Sequence, residues 1–275
     1  MKNIKTLIYF NRNKDPELQC LDELRKTLKG YGVIYDIKEL DEKIIKTDYD
    51  AIFVVGGDGT LLRRTEFANR NGIPLIGINA GKLGFLTEFE RSEIKDAVKL
   101  FIENQLVKDE RTTLVAEFKG RKYYALNDVV VQRVYMDSRG MTVTVNVSVD
   151  SNQIDTICGD GVIVATPTGS TAYSLSAGGA ILAPGINAFV ITPLSAHSFN
   201  QRPVVYSSAS ECEIVFAGGL SGGILIDGLL VSFIELGDTV KIYAADKPTV
   251  FLRRKSFNFF KRLAQKFKDR TGGGI

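Results

Sequence analysis

The sequence contains very few of the residues on which many enzyme classes depend. Among 275 residues there are one histidine, three cysteines and no tryptophan. The single histidine, His197, excludes the HExxH zinc motif and most histidine-based metal sites. A Ser-His-Asp triad would have to use His197, and the GxSxG motif of the α/β-hydrolases is absent. Zinc catalysis and histidine-dependent hydrolysis are therefore disfavoured.

The cysteines and the apolar runs of the sequence indicate the cellular location of the protein. Cys20, Cys158 and Cys212 form no CxxC pair and are odd in number, so neither a disulfide framework nor a thiolate zinc cage is predicted. No stretch approaches the ~18 apolar residues of a membrane span, and the first residues lack the apolar core of a signal peptide. The sequence predicts a cytoplasmic protein with no membrane partner.

Two common phosphate-binding motifs are also missing. Neither GxGxxG nor GxxxxGK(S/T) occurs, so an ordinary Rossmann dehydrogenase and a P-loop nucleotidase are disfavoured. The composition, with 44% hydrophobic and 24% charged residues, is typical of a soluble globular protein. The formal charge is only +3, from 35 basic and 32 acidic residues, and no nucleic-acid-binding module is present. No nucleic-acid partner is predicted.

Residues 1–108 alternate between strand and helix patterns. Apolar residues at spacings of three and four indicate a helix from about Asp15 that ends at Gly30. Further strands are predicted at 6–10, 33–37, 51–55 and 75–78, and further helices at 61–71 and 92–104. The strands at 33–37 and 51–55 have the apolar composition of buried strands. This alternation predicts an α/β domain with a doubly wound parallel sheet.

Residues 109–251 have a different pattern. Polar and apolar residues alternate strictly over 142–149, which predicts a strand that is buried on one face. Other short strands, separated by Gly, Asn, Asp and Ser turns, are predicted at 114–118, 123–126, 129–133, 162–165, 188–192, 213–216, 231–235 and 239–244. This part of the chain is predicted to form a β-sandwich domain. Residues 252–275 are predicted to return to the first domain.

The C-terminal stretch is strongly basic. Residues 253–270 include eight basic residues and one acidic residue. One face of a helix would carry Phe257, Phe260, Leu263, Ala264 and Phe267. The first interpretation is a helix that docks these side chains onto the first domain. A helix on a membrane surface and an interaction tail are the alternatives.

A glycine-rich turn follows the predicted strand at 51–55. Its sequence is Gly56-Gly57-Asp58-Gly59-Thr60. At the carboxyl end of a parallel strand, backbone N–H groups and the positive helix terminus suit a phosphate. A carboxylate there repels phosphates unless it binds a metal or accepts a proton, which makes Asp58 a candidate catalytic residue. The alternative is that Asp58 only caps the following helix.

Three further segments combine polar residues with turns. Residues 166–179, Thr-Pro-Thr-Gly-Ser-Thr-Ala-Tyr-Ser-Leu-Ser-Ala-Gly-Gly, offer hydroxyls to a polar ligand, and Tyr173 offers a stacking face. A Ser/Thr-rich segment is equally compatible with an ordinary loop. The pairs Asn127-Asp128 and Asp227-Gly228 are typical of turns, so each is predicted to be structural when taken alone.

Taken in order, the Gly-Gly-Asp-Gly-Thr turn, Asn127-Asp128 and residues 166–179 resemble the NAD kinase family. Residues 79–86, Asn-Ala-Gly-Lys-Leu-Gly-Phe-Leu, resemble that family's Asn-x-Gly-x-Leu-Gly-Phe-Leu segment. The Gly-Gly-Asp-Gly motif is shared with lipid kinases and phosphofructokinases, whereas residues 166–179 are specific to NAD kinases. The resemblance covers nearly the whole chain. It implies an α/β domain, a β-sandwich domain, a ligand between them and a terminal segment that returns to the first domain.

The resemblance also implies a reaction, in which the γ-phosphate of ATP is transferred to the 2′-hydroxyl of the adenosine ribose of NAD to give NADP. Asp58 matches the family's catalytic aspartate. The implied NAD-binding residues are Asp58, Gly59, Arg63, Asn127, Asp128, Asp160, Thr171, Ala172, Tyr173, Ser174, Leu175 and Ser176. For Arg63, a solvated helix face is the alternative. A divalent cation, above all Mg²⁺, is expected with ATP, and no side chain is assigned to it. A homodimer or homotetramer is expected.

Three positions depart from the family pattern. Ala80 stands where related sequences often have Arg, Cys158 where some have a basic residue, and Leu229 where Gln is common. No role is transferred to them. Two other functions remain as alternatives: a kinase of the same superfamily that acts on a lipid hydroxyl, and a non-catalytic dinucleotide-binding protein. The carboxylate of Asp58 argues against the second, because binding anionic phosphates alone favours a neutral or basic residue.

Overall fold

The computed structural model describes residues 4–81, 84–134, 142–197 and 201–271. Its strands are β1 Lys5–Phe10, β2 Ile34–Glu39, β3 Ala51–Gly56, β4 Leu75–Asn79, β5 Phe89–Glu90, β6 Val107–Arg111, β7 Leu114–Phe118, β8 Arg121–Ala125, β9 Asp128–Arg133, β10 Val143–Val149, β11 Asn152–Gly159, β12 Gly161–Ala165, β13 Ala188–Leu194, β14 Val204–Ser207, β15 Cys212–Gly218, β16 Gly222–Ile226, β17 Leu229–Ile234, β18 Thr239–Ala244 and β19 Thr249–Arg253. Its helices are α1 Gln19–Gly30, α2 Asp58–Asn71, α3 Ile94–Ile102, α4 Tyr173–Ser176 and α5 Phe259–Thr271.

The chain divides into two compact units, Met1–Glu110 with Thr249–Ile275, and Arg111–Pro248. The sequence placed the domain boundaries after residues 108 and 251, close to these positions. The difference arises because β6 and β19, the strands that lead out of the first unit and back into it, both belong to the first sheet.

The first unit is built on one seven-stranded sheet. Its strand order is β2-β1-β3-β4-β19-β6, and β5 pairs with β4. The pairings among β1, β2, β3, β4, β5 and β19 are parallel. On one face, apolar residues of β1, β3 and β4 pack with α1 and α3. On the other face lies α2, since a Cβ added at Gly77 would meet Leu61 of that helix. The predicted doubly wound parallel sheet is confirmed.

Two details of the first unit differ from the sequence predictions. The second strand was predicted to be buried, but β2 is partly exposed along its length because it is an edge strand that pairs only with β1. The first helix begins at Gln19 and not at about Asp15. The carboxylate of Asp15 instead accepts hydrogen bonds from the backbone N–H groups of Cys20 and Leu21, at 3.3 and 3.0 Å. It satisfies N–H donors in the first turn of α1.

The second unit consists of two six-stranded antiparallel sheets. Their strand orders are β11-β10-β15-β18-β7-β8 and β14-β13-β12-β9-β16-β17. One cluster of buried apolar side chains from both sheets forms the core, which includes Val145, Ile214, Val131 and Val164. Along β10 buried and partly exposed residues alternate, as the period of two predicted. The predicted β-sandwich is confirmed.

The C-terminal helix α5 belongs to the first unit but docks through other residues than predicted. Its predicted apolar face is not buried, because Phe260 is 65% exposed and Phe267 is 43% exposed. Phe259 contacts Phe85 instead, with 6.3 Å between the ring centroids. The predicted burial of Phe260 is therefore wrong, and a polar contact from α5 to the first unit is the hydrogen bond from Arg262 to the Gly84 carbonyl, at 3.2 Å. In the part of the chain described, no helix is long and apolar enough to cross a membrane.

Candidate functional site

The first part of the candidate site is the turn between β3 and α2, where Asp58 is the first residue of the helix. The Asp58 carboxylate accepts three backbone hydrogen bonds, from Phe85 at 2.7 Å, Leu86 at 3.0 Å and Thr87 at 3.2 Å. The donors lie in residues 84–88, which we call the anchor loop. The alternative, that Asp58 only caps α2, is wrong, because the N-cap of α2 is Gly57 and no side-chain cap hydrogen bond forms there. Asp58 instead holds a loop that lies 27 to 29 residues further along the chain.

Glycine is required at the start of the anchor loop because Asp58 passes so close to it. A Cβ atom built on Gly84 would overlap the Asp58 carboxylate. The backbone N–H of Gly84 donates to the Thr87 hydroxyl at 3.2 Å, which closes the loop on itself. The sequence motif around residue 84 matched a family pattern but gave no indication that its amide groups contact Asp58.

The other two predicted residues of the first unit lie on α2. Gly59 is exposed in the first turn of the helix, with no described atom within 4 Å of a Cβ built there. Arg63, one turn later, forms an ion pair with Asp41, with 3.6 Å between Nη1 and Oδ1. Its side chain is 40% exposed, so a ligand phosphate has access to it. Such an exposed pair contributes little to stability.

The second part of the candidate site lies at one edge of a sheet in the second unit. Strands β12, β9 and β16 are neighbours and run antiparallel, with Ala165 opposite Asp128 and Ile226 opposite Val129. The start of β9 and the ends of β12 and β16 therefore meet at the same edge. This places three of the sequence motifs side by side: Asn127-Asp128, the 166–179 segment and Asp227-Gly228.

Asp227 was called only a turn residue by the sequence, but it organises this edge. Its carboxylate accepts hydrogen bonds from the backbone N–H groups of Leu126 at 2.9 Å, Asn127 at 2.7 Å and Asp128 at 3.1 Å. It does so from the left-handed region, with φ at +48°. Each unit therefore contains one aspartate that holds three successive backbone amides. The Asp-Gly pair was the only available signal for Asp227, and its partners lie about a hundred residues away.

Asp128 is a buried carboxyl group with an altered pKa. It is only 4% exposed. Burial, with the nearby charge of Asp227 as a smaller cause, raises the pKa of Asp128 from 3.8 to about 7. Near neutral pH this group therefore exists in both protonation states, so it can either donate or accept a hydrogen bond to a ligand.

The phenol of Tyr173 lies within electrostatic range of two carboxylates, those of Asp160 and Asp128. Burial raises the pKa of the Tyr173 phenol, and the carboxylates of Asp160 and Asp128 raise it further. The Tyr173 side chain is 44% exposed and so is accessible to a ligand. Asp160 forms an ion pair with Arg133, with 2.9 Å between Oδ1 and Nε. The structure thus groups three of the predicted NAD-binding residues within the second unit.

The hydroxyl groups of the 166–179 segment serve the fold more than the sequence suggested. Thr166 donates to the carbonyl of Leu126 at 2.6 Å, and the Ser170 hydroxyl accepts from the Leu182 N–H at 2.9 Å. Ser174 is fully buried and bonded to Thr192. These hydroxyls are used inside the protein and do not reach a ligand. The predicted residues here, Thr171, Ala172, Tyr173, Ser174, Leu175 and Ser176, differ in exposure, and only Tyr173 and Ser176 are exposed.

The raised pKa of Asp128 predicts a pH-dependent stability. Because the folded protein binds this proton more tightly than the unfolded chain, Asp128 makes the free energy of unfolding fall as pH rises from about 4 to 7. Asp128→Asn removes the ionisable group, so the free energy of unfolding of the variant lacks this fall. The stability of the variant relative to the wild type is expected to increase by about 1.4 kcal/mol per pH unit between pH 5 and 7 and to level off above. Urea unfolding of both proteins at pH 5, 6, 7 and 8 measures it, and a difference independent of pH would contradict it.

Neither a metal-binding cluster nor a reactive thiol is found among the described residues. No group of three or more His, Cys, Asp or Glu side chains among them could hold a metal ion. Cys20, Cys158 and Cys212 are all free. Burial raises the pKa of Cys20 to about 11 and that of Cys212 to about 12, so neither is a reactive thiolate at neutral pH.

Two family models match consecutive parts of the chain. The ATP-NAD kinase N-terminal domain matches residues 6–106, and the ATP-NAD kinase C-terminal domain matches residues 126–254. Together they cover most of both units. The resemblance that the motifs suggested is thus confirmed by models of whole domains.

Similar proteins agree with the family models. The NAD kinase of Sulfurimonas denitrificans is 34% identical over 97% of this chain and 98% of its own length. That of Carboxydothermus hydrogenoformans is 37% identical over 89% of this chain and 88% of its own. The fold is shared with yeast NADH kinase complexed with NADH (TM-score 0.85, 20% identity, 100% of this chain and 90% of that one). It is also shared with an Archaeoglobus fulgidus NAD kinase in complex with ATP (TM-score 0.80, 24% identity, 96% and 99%). The chain belongs to the NAD kinase family.

Proposed function

We propose that this chain transfers the γ-phosphate of ATP to the 2′-hydroxyl of the adenosine ribose of NAD and so makes NADP. Family membership makes it an enzyme, a kinase that acts on NAD. The observation that carries the chemistry is the Asp58 carboxylate, fixed by three amides at the carboxyl end of a parallel strand. An ionised carboxylate has about four lone-pair positions, so about one remains free to accept a proton.

The proposed step uses Asp58 as the general base. The 2′-oxygen of the ribose attacks the γ-phosphorus, and its proton passes to the Asp58 carboxylate. The bond from the γ-phosphorus to the oxygen that bridges it to the β-phosphate breaks, and ADP leaves. The exposed backbone of Gly59 allows the nucleotide a close approach. Arg63 can exchange its exposed partner Asp41 for a phosphate, which suits the planar guanidinium better.

Contacts to NAD are assigned to residues of the second unit. Asn127, Asp128 and Asp160 bind polar groups of NAD, and Tyr173 stacks against a ring. Ser176 offers a hydroxyl. Thr171, Ala172, Ser174 and Leu175 contribute the shape and backbone groups of the segment, because the Thr171 and Ser174 hydroxyls are bonded internally.

A divalent cation, with Mg²⁺ as the first choice, is proposed to arrive bound to ATP. Mg²⁺ commonly binds through substrate phosphates with one or two carboxylates and several waters, so it does not require a cage of protein ligands. When bound, the cation neutralises triphosphate charge and positions its oxygens.

The test is incubation of the purified protein with Mg²⁺-ATP and NAD, followed by chromatography of NADP. In a parallel reaction a diacylglycerol or a sphingoid base replaces NAD. Phosphorylation of lipid but not of NAD would establish the lipid kinase instead. Binding of NAD without any turnover would establish the non-catalytic binding protein.

The exposed phenol of Tyr173 predicts a binding defect. Tyr173→Ala is expected to raise the KM for NAD about 10-fold, with a smaller effect on kcat, because stacking on a nucleotide base is worth ~1–3 kcal/mol. Steady-state kinetics with varied NAD measures it. Tyr31→Ala, which removes an exposed tyrosine (48%) of the first unit, is the control. A fall in kcat with KM unchanged would place Tyr173 in the chemistry.

We also propose that the protein is a cytoplasmic homodimer or homotetramer. The edge strand β17 exposes Leu229, Leu230 and Phe233, at 38%, 47% and 50%, and Leu236 just beyond it is 72% exposed. An apolar edge strand favours association with another chain. Three free cysteines suit a reducing compartment. Light scattering on the purified protein gives the mass, and a monomer at micromolar concentration would refute the oligomer.

A further inference from the structure

We infer that the C-terminal segment, residues 253–262, positions the catalytic carboxylate, and that Arg262 is a positioning residue for the reaction. The inference rests on the proposed function of Asp58. The segment's described polar contacts include the anchor loop, Glu93 and Asp109. It acts through the anchor loop, residues 84–88, which lies between the segment and Asp58.

The link consists of two adjacent peptide groups. In the peptide group that joins Gly84 to Phe85, the carbonyl accepts a hydrogen bond from Arg262 Nη1 at 3.2 Å, and the N–H donates to Asp58 at 2.7 Å. In the next peptide group, the Phe85 carbonyl accepts from Arg253 Nη2 at 3.3 Å, and the Leu86 N–H donates to Asp58 at 3.0 Å. Each group therefore has an arginine on one side and the aspartate on the other.

The geometry of the peptide bond makes this link effective. A trans peptide is planar, and its C=O and N–H point in opposite directions. An arginine that fixes the carbonyl therefore also fixes the direction of the N–H toward Asp58. A cationic donor on the carbonyl in addition polarises the group and strengthens the hydrogen bond that its N–H makes. Arg262 and Arg253 thus control both the position and the strength of two of the three bonds to the carboxylate.

The first two residues of this segment, Arg253 and Arg254, are held by several contacts. Arg253 is 1% exposed and is paired with Glu88 at 3.2 Å and with Asp109. Its guanidinium lies 4.2 Å from the centroid of the Phe257 ring. The next residue, Arg254, forms an ion pair with Glu93 at 2.7 Å. These contacts fix the start of the segment, and so they help to fix the position from which Arg262 contacts the anchor loop.

Arg262 is the residue to change, because Arg253 cannot be tested alone. Removing Arg253 would break the ion pairs that it forms with the buried Glu88 and the partly buried Asp109, and it would destabilise the whole unit. Arg262 is only partly buried, and its hydrogen bond goes to a backbone carbonyl. Lys261 is the matched control, since it is exposed, lies on the same turn of α5 and carries the same charge.

The expected result is a loss of kcat without a loss of substrate binding. Arg262→Met lowers kcat about 10-fold and leaves the KM values for NAD and ATP within about two-fold, because small misplacements of a reacting group have large effects on rate. Arg262→Lys keeps a donor and recovers part of the loss. Lys261→Met matches the wild type. Equal kcat in the Arg262→Met and Lys261→Met variants, or a higher KM at unchanged kcat, would overturn the inference.

A double-mutant cycle tests whether Arg262 acts through Asp58. If it does, Arg262→Met has almost no further effect on kcat in an Asp58→Asn background. A full additional 10-fold loss in that background would show that Arg262 acts elsewhere and would overturn the inference.

Hydrogen–deuterium exchange separates this inference from the proposed function, since it needs no substrate. The amides of Phe85, Leu86 and Thr87 are expected to exchange about 10-fold faster in Arg262→Met, with no change in Lys261→Met. Unchanged exchange in Arg262→Met would overturn the positioning role even if NAD is phosphorylated. If the exchange result holds but NAD is not phosphorylated by the wild type, the loop coupling stands and the function assigned to Asp58 fails.

Discussion

Replacement of Asp58 by asparagine is expected to lower kcat by about 10²-fold or more. The carboxylate is the proposed acceptor of the 2′-hydroxyl proton, and a positioned general base contributes ~10²–10⁴-fold. Asparagine has nearly the same shape but does not accept a proton at neutral pH. The measurement is kcat for NADP formation at saturating NAD and ATP. The control is Glu66→Gln, which removes a carboxylate of α2 that is paired with Arg70 on the same helix.

The asparagine variant has a second consequence that the structure predicts. The carboxylate accepts N–H donors on both oxygens, Leu86 and Thr87 on Oδ1 and Phe85 on Oδ2. An asparagine offers one acceptor oxygen, so its NH₂ group must face at least one N–H donor. The anchor loop should therefore loosen as well. Asp58→Glu keeps a carboxylate but changes its reach, and it distinguishes loss of the base from loss of the loop contacts.

The result for Asp58→Asn also decides between the proposed functions. Intact NAD binding with turnover abolished supports the kinase and excludes a protein that only binds dinucleotides. If the variant keeps most of its kcat, the proton goes to another group and the role of Asp58 is limited to holding the anchor loop. Isothermal titration with NAD, done beside the kinetics, separates these outcomes.

Local sequence patterns were sufficient to predict the fold class of each unit. The period-two alternation predicted a half-buried strand and corresponds to β10, because one face of that strand packs in the sandwich core. The apolar run at 51–55 corresponds to β3, which is buried along its whole length. The apolar pattern was misleading for β2, since composition does not reveal that a strand lies at the edge of a sheet.

The candidate site was only partly predictable, because its supporting contacts are distant in sequence. Asp58 was found from its glycine-rich turn, but the amides that it holds lie 27 to 29 residues away. Asp227 holds backbone groups 99 to 101 residues away, and an Asp-Gly pair carries no signal of that role. The basic C-terminal stretch was predicted to dock through its apolar side chains, and its composition did not indicate that Arg253, one of its basic residues, is 1% exposed. Burial of a charge depends on partners that local composition does not specify.

Gly84→Ala is expected to lower kcat by about 10²-fold, although residue 84 has no reactive group. A methyl group at this position would overlap the Asp58 carboxylate, so either the carboxylate rotates away or the anchor loop moves. In both cases the base no longer lies where the hydroxyl proton is delivered, and a displacement of about 1 Å is enough for a loss of this size. Kinetics at saturating substrates measure kcat, and thermal unfolding checks that the variant is folded.

Gly81→Ala is the matched control for Gly84→Ala. It adds the same methyl group three residues earlier, where no described atom lies within 4 Å of the new Cβ. Near wild-type kcat in Gly81→Ala together with a large loss in Gly84→Ala would show that the overlap with Asp58 causes the effect. Equal losses in the two variants would mean that any added methyl group disturbs this part of the chain. Wild-type kcat in Gly84→Ala would mean that the position of Asp58 is not critical, and it would remove the basis for both the general-base assignment and the role of Arg262.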